Sequence, residues 1–145
     1  MKNKNVVIKI VDRHDMDGEV STSELTTLGK LSFLPDSYSL VYTETDEELA
    51  GCTTTLRVED GKRIFMTRSG QYVTELIIEK DKRHNCHYAT PYGDFMMGVY
   101  TKSVRSDMSE NGGRLDFRYT VDFNADLASV NDLSITVEAA DKEGK

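Results

Sequence analysis

Arg68, Tyr42 and Tyr119 are the side chains in this sequence best suited to holding an anion. A guanidinium offers a planar fork of donors that matches a carboxylate or phosphate, and phenol hydroxyls add neutral donors beside it. Arg68 shares strand parity with Ile64 and Met66, while Arg63, Phe65 and Thr67 lie on the opposite face. Each face carries an apolar residue, so the pattern leaves open which one points inward. An inward Arg68 needs an acceptor for its buried charge. Glu44 supplies one by pattern, because it follows Leu40 and Tyr42 on one face. Two uses follow. Arg68 receives the carboxylate or phosphate of an acidic ligand, helped by Tyr42 and Tyr119, or it pairs with Glu44 and seals one end of a barrel. The sealing pair is the more ordinary use, since small barrels fill their interiors with side chains.

Other candidates are weaker. Tyr88 and Tyr92 flank Thr90-Pro91, with Gly93 following. Proline and glycine there favour a strand kink or bulge, and the alternative is an aromatic rim at a pocket mouth. His84-Asn85-Cys86-His87 superficially suggests a metal site, but on an extended strand His87 faces away from His84 and Cys86, and four converging ligands are missing. Asp12, Asp15 and Asp17 before Gly18 lack the spacing of a calcium loop and read as a solvated hairpin. No nucleophile elbow, paired carboxylates or glycine-rich phosphate loop occurs, so no catalytic residue, metal or cofactor is expected.

The elements that position these residues are strands. Leu115, Phe117, Tyr119, Val121 and Phe123 alternate with polar residues, and so do Leu133, Ile135 and Val137. Val6, Ile8 and Ile10 share a face of the opening strand. Asp60-Gly61 between two β-prone runs is a hairpin signal. Further turn chemistry lies at Pro35-Asp36, Ser69-Gly70 and Asn111-Gly112. About ten strands joined by short links must pair antiparallel, and closure removes two exposed edges. The expected fold is all-β: an up-and-down meander closed into a barrel of about 8–10 strands. Residues 1–138 form the domain, and 139–145 read as a frayed tail.

Length and composition agree. A chain of 145 residues suits one domain, and its formal charge of −7 argues against nucleic acid as a partner. No apolar run has the length of a membrane span or signal segment, and two cysteines are too few for a disulfide framework. A cytoplasmic protein with no membrane partner is expected.

Several segments in succession resemble a known family. They are Tyr42-Thr43-Glu44, Thr53-Thr54-Thr55-Leu56, Met66-Thr67-Arg68-Ser69-Gly70, Tyr88-Ala89-Thr90-Pro91-Tyr92-Gly93, Thr101-Lys102-Ser103-Val104 and Gly113-Arg114-Leu115-Asp116-Phe117-Arg118-Tyr119. In this order and spacing the chain resembles the YwiB-like family of small bacterial proteins of unknown function. The resemblance implies a calycin-type, lipocalin-like barrel and carries over no catalytic residue. Fold likeness does not transfer lipocalin function. The chain also has no tryptophan, so the Gly-x-Trp motif of lipocalins is absent.

Three functions fit. The leading expectation is a small apolar or amphipathic ligand bound inside the barrel, with Arg68, Glu44, Tyr42, Tyr88, Tyr92 and Tyr119 as its contacts. The second is an interaction module with a filled interior, pairing with a partner strand or a second copy through an edge such as residues 19–33. The third is an enzyme with its site at the barrel mouth.

Overall fold

The computed structural model describes residues 2–16, 18–43, 51–71, 73–123 and 126–140. Ten strands run in chain order: β1 Lys2–Met16, β2 Glu19–Leu34, β3 Ser37–Thr43, β4 Thr53–Glu59, β5 Arg63–Ser69, β6 Val73–Glu79, β7 Arg83–Thr90, β8 Gly93–Ser109, β9 Gly112–Phe123 and β10 Asp126–Ala139. Each pairs antiparallel with the next, and β1 pairs with β10 from Val6↔Ala139 to Asp15↔Val130, which closes the barrel. No helix occurs among the described residues. The ladder extends past residue 138, because Ala139 is in β10 and Ala140 donates its N–H to the Asn5 carbonyl.

Period-two alternation puts one apolar side chain in two against the barrel interior. Val6, Ile8, Leu40, Leu56, Val58, Ile64, Ile78, Leu115 and Ile135 have no exposed surface, and Phe117 stacks on Tyr119 with ring centroids 5.9 Å apart. In β5 the inward face is Ile64, Met66 and Arg68; Phe65 faces outward, under the Arg63 guanidinium at 5.9 Å. In β8 the parity changes midway. Thr101 opposes Tyr119 but Ser103 opposes Arg118, so Lys102 is an extra residue and the buried side switches from Val99 and Thr101 to Val104, Ser106 and Met108.

Turn chemistry sets the two ends. Asp60 and Gly61 both adopt positive φ, 54° and 64°, the turn whose twist matches flanking strands. That turn, with those near residues 35–36, 80–82 and 110–111, forms the lower end. The upper end carries the turns near Gly18, Gly70 and Pro91-Tyr92. Pro91-Tyr92 is therefore the hairpin link between β7 and β8, not the kink or bulge that the sequence suggested; proline lacks the ladder donor and is favoured where pairing ends.

One seam of the wall is short. β6 and β7 share three register pairs, Val73↔Ala89 to Glu75↔His87, and then separate. The chain beyond β6 crosses to β8, where Asp81 N–H donates to the Thr101 carbonyl at 2.8 Å. Cys86 is buried in this seam; burial pushes its thiol up while an Ile77 N–H bond opposes the shift.

Candidate functional site

The inward face is apolar through the middle of the barrel and polar toward the upper end. Strand register explains how. Tyr42 opposes Thr54, Thr54 opposes Arg68, Arg68 opposes Thr74 and Thr74 opposes Tyr88, so five strands present one polar row. A second row runs from Thr101 through Tyr119 and Asn131 to His14 on β8, β9, β10 and β1. Asp12 lies one inward position below His14 on β1.

The candidates read from the sequence divide accordingly. Arg68 is inward and half-buried, with Nε donating to Thr54 Oγ1 at 3.4 Å. Tyr42 and Tyr119 are 7% and 9% exposed, both inside. Tyr88 is half-buried on the inward face of β7. Tyr92 is 88% exposed at the tip of its turn, which removes it from the interior group. A residue at the centre of a two-residue turn has no sheet face to occupy. Glu44, with its pairing to Arg68, lies outside the described residues.

Residues that the sequence reading passed over complete the group. Asp12 and His14 are strand residues of β1 facing inward, which corrects the solvated hairpin expected there; Gly18 N–H bonds Asp15 Oδ1 at the actual turn. Their signal was present, since Val6, Ile8 and Ile10 continue by twos to 12 and 14. The same count from Ile135 and Leu133 reaches Asn131 and Ser129. His14 Nδ1 is hydrogen-bonded to Asn131 Oδ1, and Asn131 Nδ2 donates to Ser129 Oγ at 3.0 Å.

The electrostatics tie the two rows together. Burial pushes the Tyr119 phenol well up, the Asp12 carboxylate adds to the shift, and Arg68 opposes it, so Tyr119 lies within reach of both charges. Burial also raises Asp12; His14 opposes that shift and Asp132 reinforces it. Thr74 and Thr101 are 4% and 0% exposed, yet neither hydroxyl has a hydrogen-bond partner among the described residues, and neither does Asp12 Oδ1. Buried polar atoms left this way are costly and rare in folded proteins.

The lower end differs. Tyr38 Oη and Ser106 Oγ are 2.6 Å apart across it, and an open cleft of about 400 Å³ lies between residues including Phe33, Pro35, Gly61 and Met108. The His84–His87 segment forms no metal centre in the described residues: His84 Nε2 is 3.2 Å from Glu79 Oε1, and His87 Nε2 is 3.9 Å from Asp94 Oδ2. No helix among the described residues is long and apolar enough to cross a membrane.

These features define a class: closed, ten-stranded up-and-down barrels with an interior that is apolar along most of its length and polar at one end. Within that class the chain belongs to the family described as Domain of unknown function (DUF1934), which matches residues 8–135. Its fold is similar to the crystal structure of ywiB protein from Bacillus subtilis, with a TM-score of 0.85 and 21% identity, covering 96% of this chain and 94% of that one. No curated protein matches the chain.

Proposed function

We propose that the barrel binds one small amphipathic molecule, its apolar part among the central side chains and its polar head in the upper polar layer. One observation carries this reading: among the described residues the buried Thr74 and Thr101 hydroxyls and Asp12 Oδ1 lack hydrogen-bond partners, and Thr74 stands in register with the inward Arg68. A ligand head supplies the missing bonds. Barrel width supports it, because about eight strands already suffice for side chains to fill the interior or admit one small ligand. Here there are ten. On this view the likeness to calycins extends to the use of the interior as a container, and Arg68 takes a carboxylate with help from Tyr42 and Tyr119.

The test is native mass spectrometry and thermal shift with dodecanoate. The expected result is one adduct per chain and a raised melting temperature. Arg68→Met weakens binding by roughly 10–150-fold, the equivalent of about 1.5–3 kcal/mol for a bond to a charged group. Absence of any adduct or shift with dodecanoate, dodecanol and dodecylamine overturns the reading.

A second reading, an interaction module, draws on Tyr92, Phe95 and Met96, which are 88%, 47% and 59% exposed on the β7–β8 hairpin. It predicts a concentration-dependent dimer that Met96→Lys dissociates; a monomer at all concentrations excludes it.

A further inference from the structure

Strand β2 outlasts its neighbour on one side. Its ladder with β1 is regular from Met16↔Glu19 to Lys2↔Phe33, but its ladder with β3 covers only Gly29↔Tyr42 to Leu34↔Ser37. Thr43, the last residue of β3, still pairs with Thr53 of β4 and no longer with β2, so the two strands part above Gly29. Of the edge expected over residues 19–33, residues 19–28 are therefore open among the described residues. At about 3.4 Å per residue that is roughly 34 Å of strand. Every second residue along it turns its N–H and C=O away from β1, with no described strand to receive them.

The usual defences of an edge are missing. Residues 19–28 hold no proline, lysine or glycine, and their pairing with β1 has no register shift. On the outward face Val20 and Leu28 are 48% and 70% exposed, and Glu24 between them is 3.9 Å from Lys9.

We propose that this edge pairs with the same edge of a second copy, antiparallel about a two-fold axis normal to the sheet. Such an axis sets residues of like parity opposite one another, because the outward faces of both copies lie on one side. Centred on Ser23, residues 19–27 of each copy pair. Glu24 then faces the partner's Thr22 and Glu19 faces the partner's Thr27, carboxylate against hydroxyl, and no like charges stand opposite. Centring on Glu24 opposes two carboxylates, which destabilises a cross-strand pair, and centring on Thr22 or Leu25 shortens the ladder. The sequence of the edge is thus complementary to itself in one register, and the pairing joins two barrels through a continuous sheet.

Sedimentation equilibrium of the full chain, from micromolar to millimolar concentration, tests it. The expected species at the top of that range is a dimer of the 16.4 kDa chain. Thr22→Glu sets a carboxylate against the partner's Glu24 at both symmetric places and is expected to weaken the dimer by roughly 2–30-fold, whereas Thr22→Lys leaves it as tight or tighter. Thr22 is exposed, so neither change unfolds the monomer. Ser23→Cys, on the axis, is expected to form an intermolecular disulfide under mild oxidation and Thr26→Cys is not; the native Cys52 and Cys86 are buried and do not compete. A monomer at every concentration overturns the proposal, as does one whose edge binds only an added lysine-rich peptide. So does a dimer that Thr22→Glu leaves intact, or one that only Met96→Lys dissociates, which places the contact on the β7–β8 hairpin. These outcomes are independent of ligand binding in the interior.

Discussion

Replacing Thr74 with valine should make the unliganded protein more stable, although it removes a polar group from a site argued to need one. Valine keeps the β-branched shape and the strand preference of threonine, so the change is confined to the hydroxyl. That hydroxyl is buried and unpartnered among the described residues, and such a group costs about 1–3 kcal/mol of desolvation. At about 2.1 cal/mol/K of unfolding entropy per residue, the chain of 145 residues has roughly 0.3 kcal/mol/K in total. Thr74→Val should therefore raise the melting temperature by roughly 3–10 °C. Thr101→Val should behave likewise, and the exposed Thr136→Val serves as control, expected within about 0.5 kcal/mol of the parent. The readouts are differential scanning calorimetry on apo protein and dodecanoate affinity, which should fall by roughly 2–12-fold for loss of a neutral hydrogen bond. A lowered melting temperature for Thr74→Val would mean the hydroxyl is already satisfied, and the argument from orphaned polar atoms fails.

Further outcomes follow from packing and charge. Phe117→Ala removes a fully buried ring stacked on Tyr119 and should cost about 3–5 kcal/mol in urea unfolding, with Tyr119 titrating closer to its ordinary value. Burial holds the Asp12 proton more tightly in the folded than in the unfolded chain, so this group's stabilising effect is full at low pH and is lost as pH rises through its raised folded value. Asp12→Asn should accordingly stabilise more at neutral pH than at about pH 4, measured as the difference in urea midpoints, with His14 and Asp132 as the other charges acting on the site. Gly98→Ala places a Cβ against the Arg83 guanidinium, which lies across Gly98 and bonds both Asp122 carboxylate oxygens at 2.6 and 3.2 Å. Faster amide exchange where β7, β8 and β9 meet is expected, and unchanged protection there refutes the clamp.

Much of the wall was legible because alternation is a strong signal. The run from Leu115 to Val121 and that from Leu133 to Val137 both face as their hydropathy requires, while Phe123 at the strand end is exposed, and the strand count of about ten is met. The inward face of β5 was not legible, since Phe65 is as apolar as Ile64; only the Arg63 guanidinium over its ring makes its outward position acceptable. In β8 the parity changes at Lys102, and an inserted residue carries no mark in the hydropathy. Arg68, Tyr42 and Tyr119 were legible as side chains suited to an anion, although the side that Arg68 faces was not. Asp12 and Thr74 were passed over because a polar residue at the end of an apolar alternation reads as the end of the strand, and Thr101 because it adjoins the change of parity in β8.

The container reading and the filled-barrel reading differ in what they expect of buried polar atoms. At the lower end the Tyr38 phenol meets Ser106, as expected where packing alone decides. Elsewhere the orphaned atoms neighbour charged and aromatic groups: Thr74 opposes Arg68, Thr101 in the middle of β8 opposes Tyr119, and Asp12 acts on Tyr119 electrostatically. A barrel selected for a solid core gains by replacing these threonines with valine, a change that needs no rearrangement of the backbone. On the ligand-binding proposal these three atoms, unpartnered among the described residues, are a polar surface kept for a molecule that is not part of the chain.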